Sequence, residues 1–328
     1  MGEAITLIKA INQAMHEEFE RDPNVFILGE DIAEGGVFLT TEGLRDKFGE
    51  HRVVDSPLAE AAIIGACTGA SLVGMNPIAE IQFVDFITPG MDQIIQNVAK
   101  LRYRSAGTFQ PHITIRTCCG GGVGGGLYHS QDSVTWFMHE PGLKVVYPAT
   151  PSDAKGLLKS CIRGKDCYIY FEHKKLYRSV KEEVPDGDYT VPIGKAAVRR
   201  EGKDLSIITF GFGLGVSLAA AEQMEKKHGV SCEVVDLRTL RPLDTEAILA
   251  TVRKTNKVAV VHEEKLTLGP GAEVAAFIQE NAFDDLDAPI ARVTGPDIPK
   301  MPFSPPLEEY FMISPEKVVA RLEQLAAY

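Results

Sequence analysis

Short apolar runs alternate with segments of helical period along most of the chain. NVFILGE (24–30), NPIAEIQF (76–83), HITIRT (112–117), LKVVYPA (143–149) and CYIYFE (167–172) are rich in β-branched or aromatic residues and bounded by turn formers. That pattern predicts buried strands. Between them, PGMDQIIQNVAKLRYR (89–104) and SDAKGLLKSCIR (152–163) read as helices, with Pro89 suited to a first helical position and Ser152 to a cap. Strand and helix in alternation predict parallel sheet covered on both faces. KEEVPDGDYTVPIGKAAVRREGK (181–203) breaks the rhythm with Pro185, Asp186-Gly187, Pro192 and dense charge. A second alternating set follows: DLSIITFG, a helix to 227, SCEVVDL, a helix through 251, KVAVVHEE, a helix near 273–281, and PIARVTG. The proline-rich DIPKMPFSPPLEEYF leads to a last helix, SPEKVVARLEQLAA. The expectation is an α/β chain of two doubly wound, mostly parallel sheet domains, 1–185 and 204–328, joined by a linker at 186–203.

Two stretches test that picture. MGEAITLIKAINQAMHEEFERD has the pattern of an acidic amphipathic helix, without the basic and apolar regions of a signal peptide. Residues 61–79 are the least charged stretch, but they are rich in Gly, Ala, Ser and Thr and broken by Asn76-Pro77. A membrane span is more hydrophobic and less interrupted, so this reads as a buried helix whose small residues permit close packing, followed by a turn. The formal net charge of −11 over 328 residues argues against a nucleic-acid or anionic-membrane surface. The six cysteines (Cys67, Cys118, Cys119, Cys161, Cys167, Cys232) form neither a CxxC pair nor a zinc-spaced cluster, so they read as reduced, buried thiols. The compartment expected is the cytoplasm, or the mitochondrial matrix for a processed eukaryotic chain.

Candidate chemistry begins with TCCGGGVGGGLYHSQ (117–131). It contains GxGxxG at Gly120, Gly122 and Gly125, but the polar LYHSQDS that follows does not open a helix, as a dinucleotide fingerprint requires. FGFGLG (210–215) fits a strand-to-helix turn, yet Val216 stands where a third glycine is needed. Glu60, in DSPLAEAAIIGACTGASLVG, is the only formal charge between Ser56 and Ala79. It is either a first-turn acid favoured by the helix dipole or a buried carboxyl of raised pKa that carries a proton to a ligand. The spacing Glu60-x4-Gly65-x3-Gly69 favours the second, with the glycines admitting another chain or element.

That spacing resembles the pyrimidine-binding domain of thiamine-diphosphate enzymes. With LGEDIAEGGVF (28–38), DSPLAEAAIIG (55–65), AEIQFVDFITPGMDQI (79–94), KLRYRS (100–105), GGGLYHSQ (124–131), PSDAKGLL (151–158) and EVVDLRTLRPLD (233–244), the whole chain resembles the beta chain of the decarboxylating component of 2-oxo acid dehydrogenase complexes. The resemblance implies a pyrimidine-binding domain followed by a transketolase-like C-terminal domain for assembly and docking. It implies that Glu60 bonds the pyrimidine ring of thiamine diphosphate and favours the tautomer that activates it. Leu58, Ala59, Glu30, Gln82 and Phe86 would complete the cofactor pocket, Phe86 replacing a tyrosine of many relatives. Phe86, Ile87, Thr88, Pro89 and His129 would face the substrate, with His129 transferring protons. The glycines before His129 would let the backbone reach the cofactor mouth. SQDSVTWF departs from the family's usual loop, and a monovalent-cation site of some relatives matches only partly, at Ile113, Cys161 and Asp166.

The metal and diphosphate pattern of thiamine enzymes, GDG followed some way on by Asn, is absent from the sequence. The resemblance therefore implies no metal ligand in this chain and an alpha subunit that holds Mg2+, in an assembly of two alpha and two beta chains. It further implies a dihydrolipoyl acyltransferase core with lipoyl domain as partner, and oxidative decarboxylation of 2-oxo acids. AEIQF, KLRYRS and LYHSQ look most like branched-chain members, with pyruvate or acetoin members as the alternative. Outside the family, a nicotinamide-binding oxidoreductase predicts dinucleotide binding by this chain alone. A non-catalytic assembly subunit predicts that Glu60 and His129 can be replaced without loss of activity.

Overall fold

A computed structural model describes residues 4–328, so the first three residues of the expected N-terminal helix lie outside the described residues. The chain forms two compact units. The first runs to Cys119 and resumes over Trp136–Ile193; the second comprises Gly120–Thr135 and Gly194–Tyr328. The glycine run, placed in the first domain by its position in the sequence, thus belongs to the second unit.

In the first unit, β1 (Ala4–Thr6) lies antiparallel to β8 (Lys181–Glu183). The N-terminal helix spans Leu7–Arg21, and Thr6 caps it by accepting from the Lys9 amide. Its buried face, Leu7, Ala10, Ile11, Ala14, Met15 and Phe19, follows the helical period. It packs on helix Pro151–Arg163, where Glu17 pairs with Lys159 and Glu18 with Arg163, each at 2.6 Å. The cap of that second helix is Thr150, not Ser152: Pro151 takes the first helical position, where its missing N–H costs nothing. Ser152 instead donates its amide to Glu182 at 2.6 Å.

Strands β2 (Val25–Gly29), β3 (Val53–Asp55), β4 (Asn76–Ile81), β5 (Ile113–Cys119), β6 (Leu143–Val146) and β7 (Cys167–His173) run parallel in the order β6-β7-β5-β4-β2-β3. The expected helix over 89–104 is broken into a 3-10 turn at Thr88–Gly90, a π segment at Gln93–Val98 and a short α-helix at Leu101–Arg104. In the π segment the Ala99 amide reaches back five residues to the Ile94 carbonyl, at 2.9 Å. Helix Glu60–Leu72 is buried on one face only, through Ile63, Ile64, Cys67, Thr68 and Ser71. Ala62, Ala66 and Gly69 lie exposed in this chain, so the helix expected to be buried is buried along one face.

The second unit holds β9 (Ala197–Arg200), β10 (Leu205–Thr209), β11 (Cys232–Asp236), β12 (Thr239–Arg241), β13 (Val258–Lys265) and β14 (Ala291–Gly295). Five of these form a sheet in the order β14-β13-β10-β11-β9, parallel except for β9 at its edge. β9 falls inside the expected linker. Its charged sequence suits an edge, where Arg199 reaches Asp236 at 3.2 Å and Arg200 pairs with Glu225 at 2.5 Å. FGFGLG forms a tight turn into helix Gly213–His228. All six cysteines are buried and unbridged. Among the described residues no helix is long and apolar enough to cross a membrane, and no three His, Cys, Asp or Glu side chains cluster as metal ligands.

Candidate active site

Three adjacent strands of the first unit, β4, β2 and β3, deliver residues to one edge of the sheet. Glu30 follows β2, the segment leading to Glu60 follows β3, and Gln82 to Pro89 follow β4. Carboxyl ends of parallel strands are where such sheets place ligands, because the helices leave a crevice there. Asp31, with a left-handed φ of 57°, turns the chain after Glu30. Gln82 braces the turn, donating to Asp31 Oδ2 at 2.9 Å and to the Glu30 carbonyl at 3.3 Å. The Ser56 amide donates to the Gly29 carbonyl at 2.8 Å and ties the β3 segment to β2. Gly29 leaves no room for a side chain, since a Cβ there would stand 2.9 Å from Glu80 Cβ.

Two carboxyl groups lie near each other at this end of the sheet. Glu30 is 4% exposed, and its Oε1 is buried without a hydrogen-bond partner. Burial, then the Glu60 charge beside it, push the Glu30 carboxyl above the usual range, against the pull of the Ala59 amide that donates to it. Glu60 is the first residue of its helix and only half-buried. The buried carboxyl expected at Glu60 is therefore found at Glu30. Glu60 itself sits at the positive end of a helix dipole, with the Glu30 carboxyl near it. Glu30 is thus no part of a solvated turn, although Asp31 beside it is exposed.

The wall beyond is aromatic. Phe86, half-buried, meets Phe83 edge-on at 5.7 Å, and Phe83 meets Phe38 at 5.6 Å. Ile87 is buried, Thr88 and Pro89 are exposed, and Leu58 stands 81% exposed beside half-buried Ala59. Gly90 packs on the helix start, where a Cβ would lie 3.4 Å from both the Glu60 carbonyl and Ile64. Beneath the crevice lies a charged core. Arg116 donates to Glu80 at 2.6 Å and forks onto Glu172 at 2.7 and 3.0 Å, and Tyr177 donates to Glu172 at 2.7 Å. Asp166, one of the partial cation-site matches, is taken by Arg102 and Lys144, each at 2.7 Å.

His129 is exposed and belongs to the second unit. The glycine run before it alternates: Gly120, Gly122, Gly124 and Gly126 have positive φ of 65–82°. Gly121 packs where a side chain would collide with Met301 and Met312, and Gly126 against Phe303. The amides of the run meet carboxylates. Gly121 donates to Glu263 Oε1 at 2.7 Å, while Gly122 and Gly124 both donate to Glu308 Oε1, at 2.9 and 3.1 Å. Beyond His129 the divergent stretch SQDSV is buried. Thr135 donates its amide and hydroxyl to Glu264 Oε2, at 3.0 and 2.7 Å. Burial pushes the Glu264 carboxyl up to about 7.

Residues 3–180 match the transketolase pyrimidine-binding domain, and residues 194–318 the transketolase C-terminal domain. The chain is 53% identical to the 2-oxoisovalerate dehydrogenase subunit beta of Bacillus subtilis, over 99% of both chains. It is 48% identical to the pyruvate dehydrogenase E1 component subunit beta of the same organism, over 92% of each. This chain belongs to the beta subunits of the 2-oxo acid dehydrogenases. A solved structure described as a split gene transketolase, an inactive beta4 tetramer, superposes on this beta subunit with a TM-score of 0.81. That structure shares 23% identity over 100% of this chain and 99% of its own, and so speaks to the fold alone.

Within the beta subunit, three strand ends of one unit thus carry Glu30, Leu58, Ala59, Glu60, Gln82 and Phe86 to Pro89. Sequence reasoning missed Arg116, Glu80 and Glu172. The available signal was a charge in each of three runs read as buried strands: Glu80 inside its run, Arg116 next to the end and Glu172 at the end. It also missed Glu263, Glu264 and Glu308, for which no local pattern exists.

Proposed function

We infer that this beta subunit supplies the pyrimidine half of a thiamine diphosphate site and acts on branched-chain 2-oxo acids. The observation that carries the cofactor reading is the orphaned, buried Glu30 Oε1 beside Glu60. A carboxyl held in that state is matched to a ring nitrogen or amino group that shares a proton with it. Glu60 and Glu30 would hold the pyrimidine ring, Phe86 would pack on its face, and Leu58, Ala59 and Gln82 would close the rim. When bound, thiamine diphosphate supplies the carbanion that attacks the 2-oxo carbon. The chain's own task is to hold a proton at the ring on the Glu30 carboxyl, whose pKa is raised by burial and by the charge of Glu60. Phe86, Ile87, Thr88 and Pro89 exclude water on the substrate side, and His129 moves protons to and from the reacting atoms.

An alpha subunit would hold Mg2+ and the diphosphate, in an assembly of two alpha and two beta chains. A lipoyl domain of a dihydrolipoyl acyltransferase core would receive the acyl group. The greater identity to a 2-oxoisovalerate than to a pyruvate dehydrogenase subunit supports the branched-chain preference. The test is dye-coupled oxidation of 2-oxo acids by this chain purified with its alpha partner, thiamine diphosphate and Mg2+. Turnover of 2-oxoisovalerate well above pyruvate is expected. A pyruvate preference overturns the substrate assignment, and unimpaired cofactor binding by the Glu60→Ala variant overturns the site.

A further inference from the structure

The geometry points to Glu308 as a positioning residue for His129: its carboxylate fills the hollow formed by the amides of the glycine run and so fixes the loop that carries the imidazole. This rests on the reading of His129 as the proton-transfer residue.

The argument starts from the backbone. Left-handed φ at every second glycine turns neighbouring N–H groups toward a common side, which makes an anion-binding concavity. The run does cradle an anion, but the anion is the protein's own. One oxygen of Glu308 accepts from both Gly122 and Gly124, at 2.9 and 3.1 Å. Glu263 takes the preceding amide at 2.7 Å. The far end of the loop is fixed by Glu264 at Thr135, and the Gly120 amide closes the loop on the Gln131 carbonyl at 2.8 Å. His129 therefore lies between two points held by carboxylates.

Glycine-rich backbone has no preferred path of its own, so the path must come from what it touches. Glu308 rides on helix Pro305–Phe311, whose Phe311 joins Met301 and Met312 in the apolar cluster under Gly121. The polar grip and the apolar seat thus place the loop together. Glu308 bonds the two held amides nearest His129, and it is only half-buried, so its replacement leaves the core of the unit intact.

The test uses the complex with the alpha subunit, thiamine diphosphate and Mg2+, and compares Glu308→Ala, Glu308→Gln and His129→Ala. Glu308→Ala is expected to lower kcat by about 10-fold or more, as small misplacements of catalytic groups do. KM for 2-oxoisovalerate should change less than about twofold, and amide hydrogen exchange across 120–129 should speed up by about 10-fold. Glu308→Gln keeps an oxygen acceptor and should recover most of both kcat and protection. A normal kcat in Glu308→Ala, unchanged exchange, or equal loss in Ala and Gln variants overturns the proposal. If His129→Ala loses activity while Glu308→Ala does not, this proposal alone fails. If His129→Ala is fully active, the reading of His129 fails and the proposal falls with it.

Discussion

Arg116 and Glu30 lie in the same unit, a few residues from the same sheet edge, yet their surroundings are opposite. Arg116 is buried with each nitrogen of its guanidinium donating to Glu80 or Glu172, and Glu172 accepts again from Tyr177. Glu30 is as buried as Glu80, but one of its oxygens has no partner. A buried ion pair whose members satisfy one another belongs to the architecture. A buried carboxyl left short of a donor is one that the fold keeps for something else. Glu264 stands between the two cases, buried and held by neutral donors from Thr135 alone in the hydrogen bonds it makes to side chain and backbone.

Removing the architectural partner should do the most damage. Arg116→Leu leaves Glu80 and Glu172 as uncompensated buried charges and should cost about 3–5 kcal/mol in urea unfolding. A loss below about 1 kcal/mol would show that the cluster is not what holds this core. Glu30→Gln should do the reverse, lowering turnover of the complex by on the order of 10²-fold while Tm stays level or rises. The sign follows from the raised pKa: the stability Glu30 contributes is complete below the unfolded carboxyl value and is lost as pH climbs through the folded one. A variant that lost both turnover and stability would place Glu30 with the architectural group. The smallest effect belongs to Glu264. Its rise from 4.5 to about 7 means that stability should drain away as pH climbs between those two values, at no more than roughly 1.4 kcal/mol per pH unit. Glu264→Gln should flatten that slope in thermal melts, and an unchanged slope would exclude Glu264 as its source.

The sequence pattern makes the long parallel strands legible, because both faces of each are buried and their runs are continuously apolar. It hides β3, only three residues long, and β9, whose arginines read as loop until Asp236 and Glu225 are seen beside them. The 89–104 segment carries helical periodicity, but Pro89 and the extra residue of the π turn break it into three. At the site, the isolation of Glu60 in an apolar run was visible, and so was its place in a family motif. That Glu30 is the buried partner was not. Burial there is decided by three strand ends brought together from distant parts of the chain, while the adjacent Asp31 suggests a wet turn. Glu263 and Glu308 lie 142 and 186 residues from the amides they bind, beyond the reach of any local pattern.

Those separations set an order of events during synthesis. The glycine loop leaves the ribosome long before Glu308 exists, and at about 5–20 residues per second the interval is on the order of 10–40 s. Until then its amides have only water and its apolar seat on Met301 and Met312 has not been made. The segment bearing His129 is encoded in the first half of the chain and completed by the last few dozen residues. A nascent or C-terminally shortened chain can therefore hold a finished first sheet and still lack an ordered histidine.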